Sequence, residues 1–221
     1  MMSKESYKMD MCNGPVLQKV IAFSLPLMLS SCLQLLFNAA DVIVVGRFAG
    51  STSLAAVGST TELLSLLTTL FIGFSIGANV NVARTLGNQD DQGMKDGIHT
   101  AISVSILSGS AMILLGFLFG RPMLQWMGTP ADVIDKASLY LMIIFIGMPS
   151  NMAYNFGSAI LRAMGDTKRP LYFLSAAGVL NIVLNLIFVI VLHMDVAGVA
   201  LATILSETLS AVLILNCLCR T

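Results

Sequence analysis

A single carboxylate lies inside the first long apolar segment of the chain. Between Val20 and Gly46, Asp41 is the only acidic or basic residue. Hydrocarbon offers a carboxylate no water, so an acid within a membrane span usually faces the interior of a helix bundle and marks an ion or proton path. Asp41 therefore makes membrane transport the first functional hypothesis.

Other polar side chains in the apolar segments are spaced so that several pairs share a helix face. Residues four positions apart are neighbours on a helix, as are Asn181 with Asn185 and Thr203 with Glu207. Amides that faced lipid would lack partners, so we expect these faces to meet inside a bundle. The candidate site consists of Asp41 and eight further side chains: Gln34, Asn38, Asn151, Asn155, Asn181, Asn185, Thr203 and Glu207.

This pattern predicts a polar cluster around Asp41 that binds a proton or a sodium ion as coupling ion. Amide oxygens and a hydroxyl can coordinate sodium beside a carboxylate. Glu207 is the candidate for a second acid or for a substrate contact, together with Gln34, Asn38 and Asn151. For individual asparagines the alternative, helix association through interhelical hydrogen bonds, stays open.

Proline and glycine mark further positions in the apolar segments. Pro26 lies within the first of them and is expected to kink it, because proline removes a backbone hydrogen bond. The kink is either static or a hinge coupled to Asp41. The Gly73–Gly77 segment matches the G-x-S-x-G pattern of hydrolases, which we reject because it lies in an apolar helix. There, and in Gly116–Gly120, the G-x-x-x-G spacing predicts close helix packing.

Composition places the chain in a membrane and excludes several function classes. It is 56% hydrophobic and 11% charged, with zero formal net charge, whereas soluble domains carry about 25% charged residues. A neutral chain offers no electrostatic surface for nucleic acid. The sequence contains no metal-ligand cluster and no nucleophile arrangement, so we predict neither a metal, nor a cofactor beyond the coupling ion, nor an enzyme.

The apolar segments predict an all-α membrane protein with one bundle of six transmembrane helices. A helical span needs about 20 largely apolar residues. The predicted spans cover approximately 16–46, 54–83, 97–119, 133–164, 170–192 and 196–219, preceded by a cytoplasmic segment over residues 1–15.

The distribution of basic residues predicts the orientation of the bundle. Cytoplasmic loops carry an excess of lysine and arginine. One side would hold nine such residues: Lys4, Lys8, Lys19, Arg84, Lys95, Arg162, Lys168, Arg169 and Arg220. The other would hold only three: Arg47, Arg121 and Lys136. We therefore expect both termini in the cytoplasm, with the bundle in the cytoplasmic membrane.

Five stretches together resemble the N-terminal half of the MATE (multidrug and toxic compound extrusion) transporters. They are FNAADVIVVGRFAGSTSLAAVG at Phe37–Gly58, IGFSIGANVNVARTLGNQD at Ile72–Asp90, LRAMGDTKRP at Leu161–Pro170, and LNIVLNLIFV with DVAGVALATILSE between Leu180 and Glu207. The resemblance implies one six-helix lobe of a twelve-helix transporter. It also implies export of drug-like, often cationic molecules in exchange for protons or sodium ions.

The resemblance also implies roles for individual positions. Asp41 matches the acidic residue of the family's first span, and Pro26 matches its bending proline. Polar positions of the family's later spans are matched by Asn155, Asn181, Asn185 and Thr203. Two positions depart from the pattern: Asn185 stands where aspartate is common, and Glu207 stands where glutamine is expected.

Several alternatives remain open at this stage. A lipid-linked oligosaccharide flippase of the same superfamily would need basic residues in its cavity, and no lysine or arginine lies deep within a predicted span. An intramembrane enzyme would need a catalytic partner for Asp41. The chain ends where the family continues into a second lobe, so its expected partners are a C-terminal six-helix lobe or a second copy, besides lipid and the exported molecules. A non-transporting truncated lobe is the remaining alternative.

Overall fold

The chain folds as a bundle of long helices in a computed structural model that describes residues 16–220. Within that range six helices are long and apolar enough to cross a membrane. They are α1 (Val16–Phe48), α2 (Ser51–Gly87), α3 (Asp91–Trp126), α4 (Ile134–Ala163), α5 (Lys168–Asn185), which continues as a π-helical turn (Leu186–Val191), and α6 (Asp195–Cys219). The prediction of an all-α fold with six membrane-length helices is confirmed.

The helices are longer than the predicted spans at several ends. The second predicted span stops at residue 83, whereas α2 continues to Gly87, and α3 begins at Asp91 rather than at residue 97. Apolar content does not define these ends, since polar side chains complete the turns: the Asp90 carboxylate caps α3 by accepting from the backbone N–H of Gly93 at 2.9 Å. The predicted cytoplasmic segment over residues 1–15 lies outside the described residues.

Helix α4 forms the centre of the bundle and packs against α2, α3 and α6. Many of the largest fully buried side chains lie on it, among them Phe145, Met152 and Phe156. In contrast, α1 is mostly exposed and makes its main packing contact with α5. The polar residues of α4 therefore lie at the centre of the bundle, and those of α1 lie at the margin of the bundle.

Small residues bring α3 and α4 close together. A side chain on Gly116 would overlap the ring of Phe145, and one on Gly109 would overlap the backbone of Pro149. Close packing at Gly116 is thus confirmed. At Gly73 and Gly77 the prediction of close packing is wrong, because no atom of another described helix lies within 4 Å of a Cβ built there. This face of α2 is directed away from the rest of the bundle.

Polar contacts fix both ends of the bundle. At the end that carries residues 16 and 220, the buried Asp166 carboxylate accepts from the backbone N–H of Lys168 and Arg169 and pairs with the Arg169 guanidinium at 3.1 Å. At the opposite end, the Lys136 ammonium donates to Asp195 and, at 2.8 Å, to the hydroxyl of Ser53. The second cluster joins α2, α4 and α6.

Candidate functional site

A cavity of about 270 Å³ lies between α1, α4, α5 and α6. It collects eight of the nine polar side chains that the sequence singled out, from all four helices. They are Gln34, Asn38, Asp41, Asn151, Asn155, Asn181, Thr203 and Glu207. The four-residue spacings place each pair on one helix face, and the packing turns these faces toward one another. We call this space the central cavity.

Asp41 is joined to the opposite wall by a chain of amides. The ninth residue, Asn185, donates from Nδ2 to Asp41 Oδ1 and also to Asn181 Oδ1 at 3.2 Å. Asn181 donates in turn to the hydroxyl of Thr203 at 3.4 Å, and that hydroxyl donates to the Val199 carbonyl at 3.0 Å. One network therefore connects α1, α5 and α6 through the acid of α1.

The amide of Asn185 is deeply buried and only half satisfied. The residue is 1% exposed, and its Oδ1 has no hydrogen-bond partner among the described residues. A buried carbonyl oxygen without a donor costs roughly 1–3 kcal/mol. An oxygen of this kind beside a carboxylate is a suitable ligand for a cation, or an acceptor for a proton carried by Asp41. This oxygen is therefore available to a cation or a proton at Asp41.

Glu207 is held by a second amide network. Asn151 of α4 donates from Nδ2 to Glu207 Oε1 at 2.8 Å, and Asn155 donates to Asn151 Oδ1 at the same distance. The two acids are thus supported independently, Asp41 from α5 and Glu207 from α4. Each carboxylate keeps one further oxygen for another ligand.

Both acids also border a second space. A cavity of about 400 Å³ extends toward α2 and includes Asp41, Glu207 and the buried Tyr140. Gln34 and Asn38 of α1 line both cavities, are exposed, and make no hydrogen bond within the described chain. These two side chains are free to bind a molecule that occupies either cavity.

Pro26 lies apart from the central cavity. Helix α1 runs through it as one continuous element, and the Pro26 carbonyl accepts from the Ser30 hydroxyl at 2.9 Å. A hinge at this proline stays a prediction.

Arg162, one of the nine basic residues that predict the orientation of the bundle, lines a further cavity. The sequence places it near the end of the fourth predicted span, and its side chain borders a space between α1, α2 and α4. The spacing of Asn151, Asn155, Ser158 and Arg162 is four, three and four, which is one helix face. This spacing is the sequence signal that places Arg162 on the same helix face as Asn151 and Asn155.

The arrangement suits reversible binding of cations. Two carboxylates in a polar cavity attract positive charge, while the flanking amides and hydroxyls supply neutral ligands. Among residues 16–220 no group of three or more histidines, cysteines or acids could hold a metal ion. No lysine or arginine lines the central cavity, so its electrostatic preference is for cations over anions.

Comparison with known proteins identifies relatives over most of the chain. Residues 26–187 match the MatE family. The probable multidrug resistance protein YpnP of Bacillus subtilis is 34% identical over 202 residues, covering 90% of this chain and 44% of its own length. The multidrug export protein MepA of Staphylococcus aureus is 25% identical, with 90% and 44% covered. The chain spans about 44% of the length of these relatives.

Solved structures agree with this assignment. A crystal structure of MATE in the bent conformation superposes with a TM-score of 0.85 at 28% identity, covering 91% of this chain and 45% of that one. An outward-facing multidrug resistance MATE transporter of the MOP superfamily also gives 0.85 at 28% identity, with 91% and 44% covered. The chain is a multi-pass membrane protein whose described residues form six membrane-length helices, corresponding to about half of such a transporter, and it belongs to the MatE family of transporters rather than to any family of enzymes.

Proposed function

We propose that the chain is one half of a cation-coupled antiporter that exports drug-like organic cations. The observation that carries the proposal is the convergence of Asp41 and Glu207, from α1 and α6, on one polar cavity free of basic side chains. Intramembrane acids that face a cavity typically bind ions or protons. Two relatives support this assignment by their names: one is a probable multidrug resistance protein, and the other is a multidrug export protein.

In this mechanism the coupling ion and the exported molecule compete for the same carboxylates. A proton or sodium ion on Asp41 would be held by the Asn185 amide, whose Oδ1 is buried beside it. An organic cation that occupies the cavity would displace that ion and be neutralised by Asp41 and Glu207 together. Each bound cation lowers the affinity of these carboxylates for the other cation. Binding of one species therefore favours release of the other, as exchange requires.

Transport by this mechanism requires a second six-helix unit. Alternating access in transporters of this type is rocking of one repeat against another around a site near the bilayer midplane. Helices α1 and α2 expose most of their surface in the described chain, so they provide area for a C-terminal lobe or a second copy of the chain. We place both termini in the cytoplasm, where the predicted excess of lysine and arginine would lie.

A flippase for lipid-linked oligosaccharides is a weaker proposal for the central cavity. A pyrophosphate would need basic partners there, and the lining contains two acids instead.

The proposal is tested by gradient-driven export. The reading frame that encodes this chain, expressed in full, is placed in a strain lacking its own exporters, and efflux of tetraphenylphosphonium is followed in energised cells. Asp41→Asn is expected to reduce efflux to the level of cells without the protein. Glu62→Gln, which alters an exposed carboxylate outside the central cavity, is the matched control and should retain efflux. Efflux by Asp41→Asn at the unsubstituted rate rejects the proposal.

A further inference from the structure

A third polar cavity lies beside the central one and contains a guanidinium instead of carboxylates. Its volume is about 480 Å³, and it is bordered by α1, α2, α4 and the start of α5. We call it the vestibule and define it by Ser30, Ser75, Asn79, Ser158, Arg162 and Thr167. It is contiguous with the central cavity, because Gln34, Tyr154 and Asn155 line both.

Arg162 is directed into the vestibule rather than out of the bundle. It is the penultimate residue of α4, and its Nη2 donates to the hydroxyl of Ser158, one turn back along the helix, at 3.3 Å. Side chains on a helix point toward its N-terminus, which brings the guanidinium inward from the helix end. Arg162 is partly buried, and it forms no ion pair with any acid of the described residues.

The walls of the vestibule do not supply the missing negative charge. No aspartate or glutamate lines it. The nearby Asp166 is committed to the start of α5 and to the Arg169 guanidinium. A charged group removed from water is costly unless it is paired. A guanidinium that lines a cavity without an acid is therefore suited to an anion supplied by a ligand.

A further donor of the vestibule fits the same chemistry. Thr167 is a buried residue whose hydroxyl makes no hydrogen bond within the described chain. That hydroxyl can donate to an oxyanion in the vestibule. Arginine presents a planar set of N–H groups that matches carboxylate and phosphate oxygens in pairs. The hydroxyl of Ser158 accepts from Arg162 and orients that planar group.

We propose that the vestibule is an oxyanion site in which Arg162 binds a carboxylate or phosphate group. Its guanidinium is held apart from the cation site: Asn151, which holds Glu207, and Ser158, which holds Arg162, are seven positions apart on α4, or about 10 Å of helix at 1.5 Å per residue. The anion is either a free small molecule or the headgroup of an anionic lipid. Anion binding at Arg162 requires neither the cation site nor export.

Two binding measurements distinguish the sources. The full chain, purified in a neutral detergent, is titrated with inorganic phosphate by isothermal calorimetry. In parallel it is reconstituted into nanodiscs of phosphatidylcholine and phosphatidylglycerol, and the lipid retained after extraction is counted by native mass spectrometry. A free-anion site gives phosphate binding, whereas a headgroup site gives retained phosphatidylglycerol without measurable phosphate binding.

Matched variants assign the binding to Arg162. Arg162→Gln is expected to weaken the observed binding at least about tenfold, because one charge-assisted bidentate contact is lost. Arg84→Gln, which removes an exposed guanidinium in the last turn of α2, should leave it unchanged. If Arg162→Gln does not fold, Arg162→Lys keeps the charge but loses the planar fork and should still weaken binding. The proposal is overturned if neither ligand binds, or if binding is unaffected by changes at Arg162.

Discussion

Asn185 donates a hydrogen bond to Asp41 across the α1–α5 interface, from a position 144 residues further along the chain. The same amide nitrogen also donates to Asn181, so both N–H groups of Asn185 are used. Asp41, on the most exposed helix, is thereby hydrogen-bonded to the interior of the bundle. Asp41 and Asn185 should consequently behave as one unit rather than as two separate side chains.

A double-mutant cycle tests this coupling. Asn185→Leu removes the one hydrogen bond that Asp41 receives within residues 16–220, and we expect it to lower the free energy of unfolding by about 1–3 kcal/mol. In the Asp41→Asn background the same change should cost less, with a coupling energy of about 0.5–3 kcal/mol. Unfolding in mixed detergent micelles measures the change in free energy of unfolding in both backgrounds. Additive effects would show that the two side chains do not interact.

Glu207 is expected to discriminate substrates by charge. Glu207→Gln keeps the hydrogen bond from Asn151 but removes the negative charge, so binding of tetraphenylphosphonium should weaken by about tenfold, equivalent to 1.4 kcal/mol. Binding of a neutral compound of similar size should change little. Fluorescence or equilibrium dialysis on purified protein gives both affinities. An equal loss for the neutral compound would instead indicate damage to the fold.

Glycine substitutions separate packed from unpacked helix faces. Gly109→Ala introduces a methyl group that overlaps the Pro149 backbone, and we expect a loss of about 1–3 kcal/mol from overpacking. Gly73→Ala meets nothing within 4 Å and should be neutral or stabilise by up to about 1 kcal/mol through helix propensity. Thermal unfolding in detergent compares the two. A larger loss at Gly73 would show that this face of α2 is packed against a partner.

Orientation in the membrane is tested by labelling with an impermeant thiol reagent. In a background without the native cysteines, Gln92→Cys should resist the reagent in intact cells and react after permeabilisation. Thr129→Cys, in the turn after α3 at the other end of the bundle, is the control and should react in intact cells. The opposite labelling pattern would place both termini outside the cytoplasm.

The elements of the site could be predicted from the sequence because membrane helices obey strong local constraints. Backbone groups in lipid need internal partners, so apolar segments of sufficient length become helices. The four-residue spacing of Asn181 with Asn185 then fixes which side chains share a face. The structure brings eight of the nine candidate polar residues to one cavity and joins the ninth, Asn185, to Asp41.

Features that depend on packing between helices could not be predicted in the same way. The bond from Asn151 to Glu207 joins residues 56 positions apart, and no local pattern specifies that register. Spacing puts Arg162 on the helix face of Asn151 and Asn155, but it does not determine that a cavity lies on that face at this end of α4. Gly73 and Gly77 have the spacing of a packed face, but spacing does not determine whether a neighbouring helix is present.

The π-helical turn at Leu186–Val191 is a further feature that could not be predicted from the sequence. It begins directly after Asn185, in an uninterrupted apolar run that carries no signal for a change of helix type. Turns of this kind occur frequently at functional sites, which agrees with its position beside the amide that holds Asp41.

The central claim is that Asp41 holds the coupling ion that an organic cation displaces. The most direct test is ion release: tetraphenylphosphonium is added to purified protein in weak buffer, and released protons or sodium ions are counted with a pH dye and a sodium electrode. The account predicts release of one of these ions by the unsubstituted protein and by Glu62→Gln, and none by Asp41→Asn. Undiminished release by Asp41→Asn would contradict it.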